Sequence, residues 1–196
     1  MNRATVALAA TAAIALSSCG PKAPATTNST TIDSSVSSDT TLINGADTMN
    51  AAAPLASPAQ TFVNTAAASD AFEIATSKLA LDNSTSASVK KFANQMITAH
   101  EGSTAKLKTV TASLSPALTP DATLTADQQT KLDAMKTSKG ADFDTAYIAA
   151  QQGGHQQTLD VLKAYAASGD VPALKDFATG LVPTVTAHLN MANALK

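Results

Sequence analysis

The chain has 196 residues, 44% hydrophobic but only 4% aromatic and without Trp, so a core must be built largely from Ala, Leu, Val and Ile, a composition suited to closely packed helices. Thirteen Lys and Arg against fifteen Asp and Glu leave a net charge of −2 with no basic run, which argues against a phosphate backbone as partner, and no nucleic acid is expected. The first 58 residues do not pattern like a packed domain, and the remainder has the size of one.

Residues 1–18 read as a signal peptide. Arg3 gives a positive start, and Ala4 to Leu16 is uncharged, apolar or small, and too short to span a bilayer. The segment ends Leu16-Ser17-Ser18-Cys19-Gly20, which resembles a bacterial lipoprotein cleavage box. That resemblance implies lipidation at Cys19 and membrane attachment through more than one acyl chain. Cys19 is the only cysteine, so no disulfide can form within the chain, and an acyl acceptor accounts for a lone thiol. Gly20 stands where Asp would hold such a lipoprotein at the inner membrane. The expected location is therefore the cell envelope, at the outer membrane and facing the periplasm. Residues 19–58 comprise that cysteine and a tether of Ser, Thr, Ala, Asn and Pro, which cannot bury enough apolar surface to offset its ordering entropy. As a flexible chain it spans about 35 Å.

From residue 59 to 196 the apolar spacing is helical. A first helix is predicted over about 59–83, with Phe62, Ala66, Glu73 and Ala80 within about 40° of one another, so Glu73 falls mid-stripe on the buried face. A second, about 86–114, carries Val89, Ala93, Met96, His100, Ser103, Leu107, Val110 and Leu114 in a 4-3 rhythm with His100 as a polar member. Pro116 and Pro120 then break the chain, and Thr125-Ala126-Asp127-Gln128 reads as a capping box opening a short helix to about Ser138, with Gly140 to end it. A long helix over about 141–167 buries Phe143, Tyr147, Val161, Leu162 and Tyr165, with His155 in the same arc. Gly153 and Gly154 inside it imply a kink or a close approach to the backbone, and Ser168-Gly169-Asp170 a stop and a new cap. The last, about 171–195, repeats the rhythm as Leu174, Ala178, Leu181, Val185, His188, Ala192 and Leu195, with Pro183 bending its solvent side.

All three histidines and Glu73 thus face inward from four different helices. Measured from the helix midpoints at 1.5 Å per residue, their offsets are about 3, 0, 2 and 8 Å for Glu73, His100, His155 and His188. Glu73, His100 and His155 are expected in one layer, with His188 about one turn away.

Phe72-Glu73-Ile74, Val89-Lys90-Lys91-Phe92-Ala93 leading to His100, Phe143-Asp144 with Tyr147-Ile148 and His155, and Leu174-Lys175-Asp176-Phe177-Ala178 with His188-Leu189 together resemble the exported ferritin-like family labelled domain of unknown function 4142. The resemblance covers about residues 59–195. It implies an all-α, ferritin-like four-helix bundle in the bacterial envelope, with one short extra helix between helices two and three and no assigned reaction. The family's Glu and His positions fall on Glu73, His100, His155 and His188. Ala99 departs from the family where an acidic residue often precedes the second-helix His, which removes a possible orienting carboxylate.

Ile97 and Val185 stand three residues before His100 and His188, so the Glu-x-x-His turns of a di-iron site are missing. No phosphate loop or nucleophile elbow is present, and no catalytic residue is assigned. The leading expectation is an envelope-anchored scaffold or interaction protein, with a possible envelope-protein partner, whose Glu/His layer fixes helix register. The alternative is one Zn, Cu, Ni or Fe ion held by Glu73, His100, His155 and His188, with Tyr147 and Gln151 as possible hydrogen-bond partners of those ligands.

Overall fold

The computed structural model describes residues 56–196 as α1 (Pro58–Asn83), α2 (Ala87–Ala112), α3 (Ala126–Thr137), α4 (Gly140–Ser168) and α5 (Pro172–Ala194). The expected fold is the one observed: four long helices, one short helix between the second and third of them, and no strand among the described residues. The signal peptide, Cys19 and the tether as far as residue 55 lie outside the described residues.

Local chemistry sets the helix starts. Ser57 caps α1 by accepting from the Gln60 amide at 3.1 Å, with Pro58 in the first turn where its missing N–H costs nothing. Ser86 caps α2. The capping box of α3 is present in both directions, Gln128 N–H to Thr125 Oγ1 at 3.2 Å and Thr125 N–H to Gln128 Oε1 at 2.9 Å. Two boundary residues differ from expectation in their role. α3 ends at Ser138 as expected, but Gly140 takes no part in that stop and instead opens α4 at a φ of 57°, a left-handed conformation that a residue with a Cβ resists. Asp170 does not cap α5; Val171 occupies that place without a side-chain cap, because the Asp170 carboxylate accepts from the Tyr165 hydroxyl at 2.8 Å.

Short turns make two antiparallel hairpins, α1–α2 and α4–α5, which pack through α1 on α4 and α2 on α5. The apolar residues fall into two clusters. One, towards the α4–α5 turn, contains Phe62, Leu107, Leu162, Leu174 and Phe177, with Phe62 stacked on Tyr165 at 4.0 Å between ring centres. The other, towards the α1–α2 turn, contains Phe72, Phe92, Met96, Phe143 and Tyr147, and α3 closes it with Leu132 and Met135. On α2, α4 and α5 the histidines sit between these clusters, on α1 Glu73 follows Phe72 of the second, and Glu73, His100, His155 and His188 are all buried. No helix of the described residues is long and apolar enough to cross a membrane.

Candidate metal centre

The three histidines converge. One ring nitrogen of each lies within 4.8 Å of those of the other two, and the ring centres are 5.4 to 5.7 Å apart. His188 therefore belongs to the layer and is not a turn removed from it. Helix midpoints are a poor common origin, because hairpin register is set at the connecting turn. Counted from residue 170, at the centre of the α4–α5 turn, the level of His155 on α5 is residue 185, so His188 is displaced by only about 4.5 Å along the axis. A side chain spans that difference.

Two of the rings are held by hydrogen bonds that fix their tautomers. His155 Nδ1–H donates to the Gln151 carbonyl at 2.8 Å, since a carbonyl can only accept. His100 Nδ1 is 2.8 Å from Asp70 Oδ1, and the second oxygen of Asp70 accepts from Thr104 Oγ1 at 3.1 Å. Asp70 is buried on α1 and supplies the orienting carboxylate that Ala99 does not. Sequence reading missed it, although the signal was there: Asp70 lies one turn before Glu73, between the directions of Phe62 and Val63 on the helix, and stands as far from residue 85 in the α1–α2 turn as His100 does. With both Nδ1 atoms committed, the nitrogens left are His100 Nε2, His155 Nε2 and His188 Nδ1, each buried and without a hydrogen-bond partner among the described residues.

Glu73 lies beside this triad and outside it. Its Oε1 is 3.8 Å from His155 Nδ1, the nitrogen already donating to Gln151, and its Oε2 has no partner. The same Oε1 would be 2.7 Å from a Cβ at Gly154, whereas nothing lies within 4 Å of one at Gly153. Of the two expectations for this glycine pair, close approach is the one realised, at Gly154, and α4 runs unbroken through both. Gln151 donates to Thr76 Oγ1 at 3.2 Å, and Tyr147 pairs with Ser77 Oγ at 2.8 Å. Tyr147 thus ties α4 to α1 beside the layer and makes no hydrogen bond to a histidine.

The electrostatics divide the group. Burial lowers His155 to about 4, against its backbone hydrogen bond and helped by the nearby His100 and His188. Burial, with His100 nearby, also lowers His188 to about 4. Both are neutral imidazoles at pH 7, the form that binds a metal. Burial works the same way on His100, but its hydrogen bond to Asp70 and the charges of Glu73 and Asp70 outweigh it and raise it above the usual imidazole value. Burial pushes Glu73 up to about 7, against the lowering effects of His100 and Gln151. Three imidazoles with unpaired nitrogens, two of them with fixed tautomers, fit a transition-metal ion, and a bonded partner beyond two of the rings is the usual support for such ligands.

The profile of the family described as "Domain of unknown function (DUF4142)" matches residues 44–195. No curated protein matches the chain. Among solved structures, CopM in the Cu(I)-bound form is similar at 18% identity and a TM-score of 0.57, covering 69% of this chain and 92% of that one. CopM in the Cu(II)-bound form is similar at 17% identity and a TM-score of 0.58, covering 69% and 93%. At such identities the likeness establishes the fold.

Proposed function

The chain belongs to the family described as Domain of unknown function (DUF4142), and from that premise we propose that it is a copper-binding protein of the cell envelope whose ion is held by His100, His155 and His188. The observation that carries this reading is the meeting of three buried imidazoles, each with a ring nitrogen that has no hydrogen-bond partner among the described residues. An unsatisfied buried polar group costs about 1–3 kcal/mol, so a layer serving helix register alone would be expected to close its bonds. The Ser77–Tyr147 and Thr76–Gln151 pairs do fix register, and serve either reading.

Imidazole suits Zn, Cu, Ni and Fe alike, and divalent copper binds such donors most tightly of the series. The similar solved structures are of a protein in Cu(I)- and Cu(II)-bound forms, which supports copper over the other three. Glu73 is a neighbouring charge in this reading and His100, His155 and His188 are the ligands, with Asp70 and the Gln151 carbonyl as their supports. The sequence box ending in Cys19 supports lipid attachment, and Gly20 an outer-membrane location facing the periplasm.

The experiment is elemental analysis of the full chain purified without chelator, as Cys19→Ser so that the thiol cannot contribute, beside the same chain with His100→Ala and His155→Ala. About one copper ion per chain, lost in the double variant, is expected. No metal after purification and none on titration with Cu(II) would return the layer to a structural role. Labelling of the unmodified chain with a radioactive fatty acid, absent in Cys19→Ser, tests the anchor.

A further inference from the structure

The three histidines are not equally held. His155 is fixed by its own helix and His100 by Asp70, itself fixed by Thr104. His188 Nδ1 has no partner, and no hydrogen bond among the described residues restrains the ring. Exposure follows the same order, 2% for His155, 5% for His100 and 8% for His188.

Beside the layer is a small cleft of about 40 Å³ into which His100 and His188 both face, with the Asp70 carboxylate in its wall. Its α2 side is made by Ala99 and Ser103, and its α5 side by Thr184, which is exposed. A larger groove of about 290 Å³ runs on the other face, between α1 and α4, over Ser69, Gly153, Gly154 and Thr158. None of the three histidines lines that groove, and its floor beneath Phe62, Phe72 and Leu162 is apolar. The two cavities share Ala66, Thr158 and Leu162, so each leads towards the layer, but only the smaller one is lined by ligands, His100 and His188, with Asp70 beside them, whereas the carboxylate of the larger, Asp127, is paired with Lys131.

We infer that a metal ion enters and leaves through the cleft between α2 and α5, with His188 as the ligand that swings to admit or release it while His100 and His155 stay in place. This rests on the copper reading above and adds the path and the exchanging ligand. A site with two braced ligands and one unbraced ligand facing a cleft suits an ion that is passed on, because release then requires one side chain to turn and no helix to move. The same asymmetry makes removal of His188 a milder loss than removal of His155.

The test is the rate of Cu(II) uptake by the full Cys19→Ser chain, followed by quenching of tyrosine fluorescence after rapid mixing, with the final stoichiometry read by elemental analysis. Ser103→Leu narrows the cleft, and Thr65→Leu, at an exposed position that lines only the α1–α4 groove, narrows that groove. Ser103→Leu is expected to slow uptake at least about tenfold without changing stoichiometry, and Thr65→Leu by less than about twofold. Thr184→Leu, at an exposed position that the fold tolerates, is a second obstruction and should slow uptake in the same direction should Ser103→Leu fail to fold. Unchanged rates in both cleft variants, or slowing in Thr65→Leu alone, would overturn the path while the wild-type stoichiometry leaves copper binding standing. A parent chain that takes up no Cu(II) would remove both readings together.

Discussion

The two hairpins bring different chemistry to the same layer. α1–α2 supplies both buried carboxyls, Asp70 and Glu73, and a single imidazole clamped by one of them. α4–α5 supplies two imidazoles and no acid, one ring held by main chain and the other by nothing. Negative charge therefore comes from one half and most of the ligands from the other. Neither hairpin contains three convergent nitrogens, so the centre exists only in the assembled bundle, and whatever loosens the packing of α1 on α4 or α2 on α5 also disperses the ligands.

The contrast is broken most severely at Asp70. Asp70→Ala leaves the His100 Nδ1–H without its acceptor in a buried site, and the loss of one partner from such a pair is expected to cost about 3–5 kcal/mol in urea unfolding. It should also weaken copper binding by about 10- to 100-fold in chelator competition, the usual consequence of losing the support behind a metal-bound imidazole. His188→Leu has no such partner to abandon. It replaces a buried ring carrying an unsatisfied nitrogen with an apolar group, and the metal-free protein should be equally or more stable. Equal losses in the two variants would erase the distinction between a clamped and an unclamped histidine.

A second contrast is in pH. In the α4–α5 hairpin, His155 and His188 are lowered from the usual 6.5 to about 4, so the unfolded chain binds more protons between those values and stability falls as pH drops from about 6.5 to 4. In the α1–α2 hairpin, Glu73 is raised from 4.5 to about 7 and His100 is raised as well, so their contribution is present in acid and is lost as pH rises through about 7. Urea midpoints of the metal-free protein should therefore peak near pH 6.5. Combining His155→Leu with His188→Leu should flatten the acid limb, and Glu73→Gln the alkaline one.

A smaller effect separates the adjacent glycines. Gly153→Ala meets open space and should raise stability by about 1 kcal/mol through helix propensity. Gly154→Ala should gain less, because its Cβ displaces the Glu73 carboxyl against which Gly154 packs. Smallest of all is Glu101→Gln, which removes an exposed ion pair with Lys78 at 3.6 Å and should change stability by less than about 0.5 kcal/mol.

The 3.6-residue period made four buried stripes legible, and it placed Glu73, His100, His155 and His188 on them correctly. The same arithmetic would have placed Asp70 too, but a residue standing between two stripe directions draws less notice than one at the centre. The height of His188 was misjudged for a different reason. Rise per residue is a property of one helix, whereas the level at which two helices meet depends on where the turn between them reverses the chain.

The amino-acid sequence by itself determined the helices, their caps at Ser57, Ser86 and Thr125, and which faces are apolar, because these depend on neighbours within about one turn. It also carries the box at Cys19 that points to a lipid anchor. Tertiary structure decided which imidazole nitrogens are spent on hydrogen bonds and which are left to converge. Asp70 meets His100 from another helix, Glu73 is pressed against Gly154 from another hairpin, and His188 finds no hydrogen-bond partner among the described residues. Such pairings require atoms far apart in the chain to come within 3 Å or so, a distance that local periodicity does not encode and that only the packed register of the two hairpins sets.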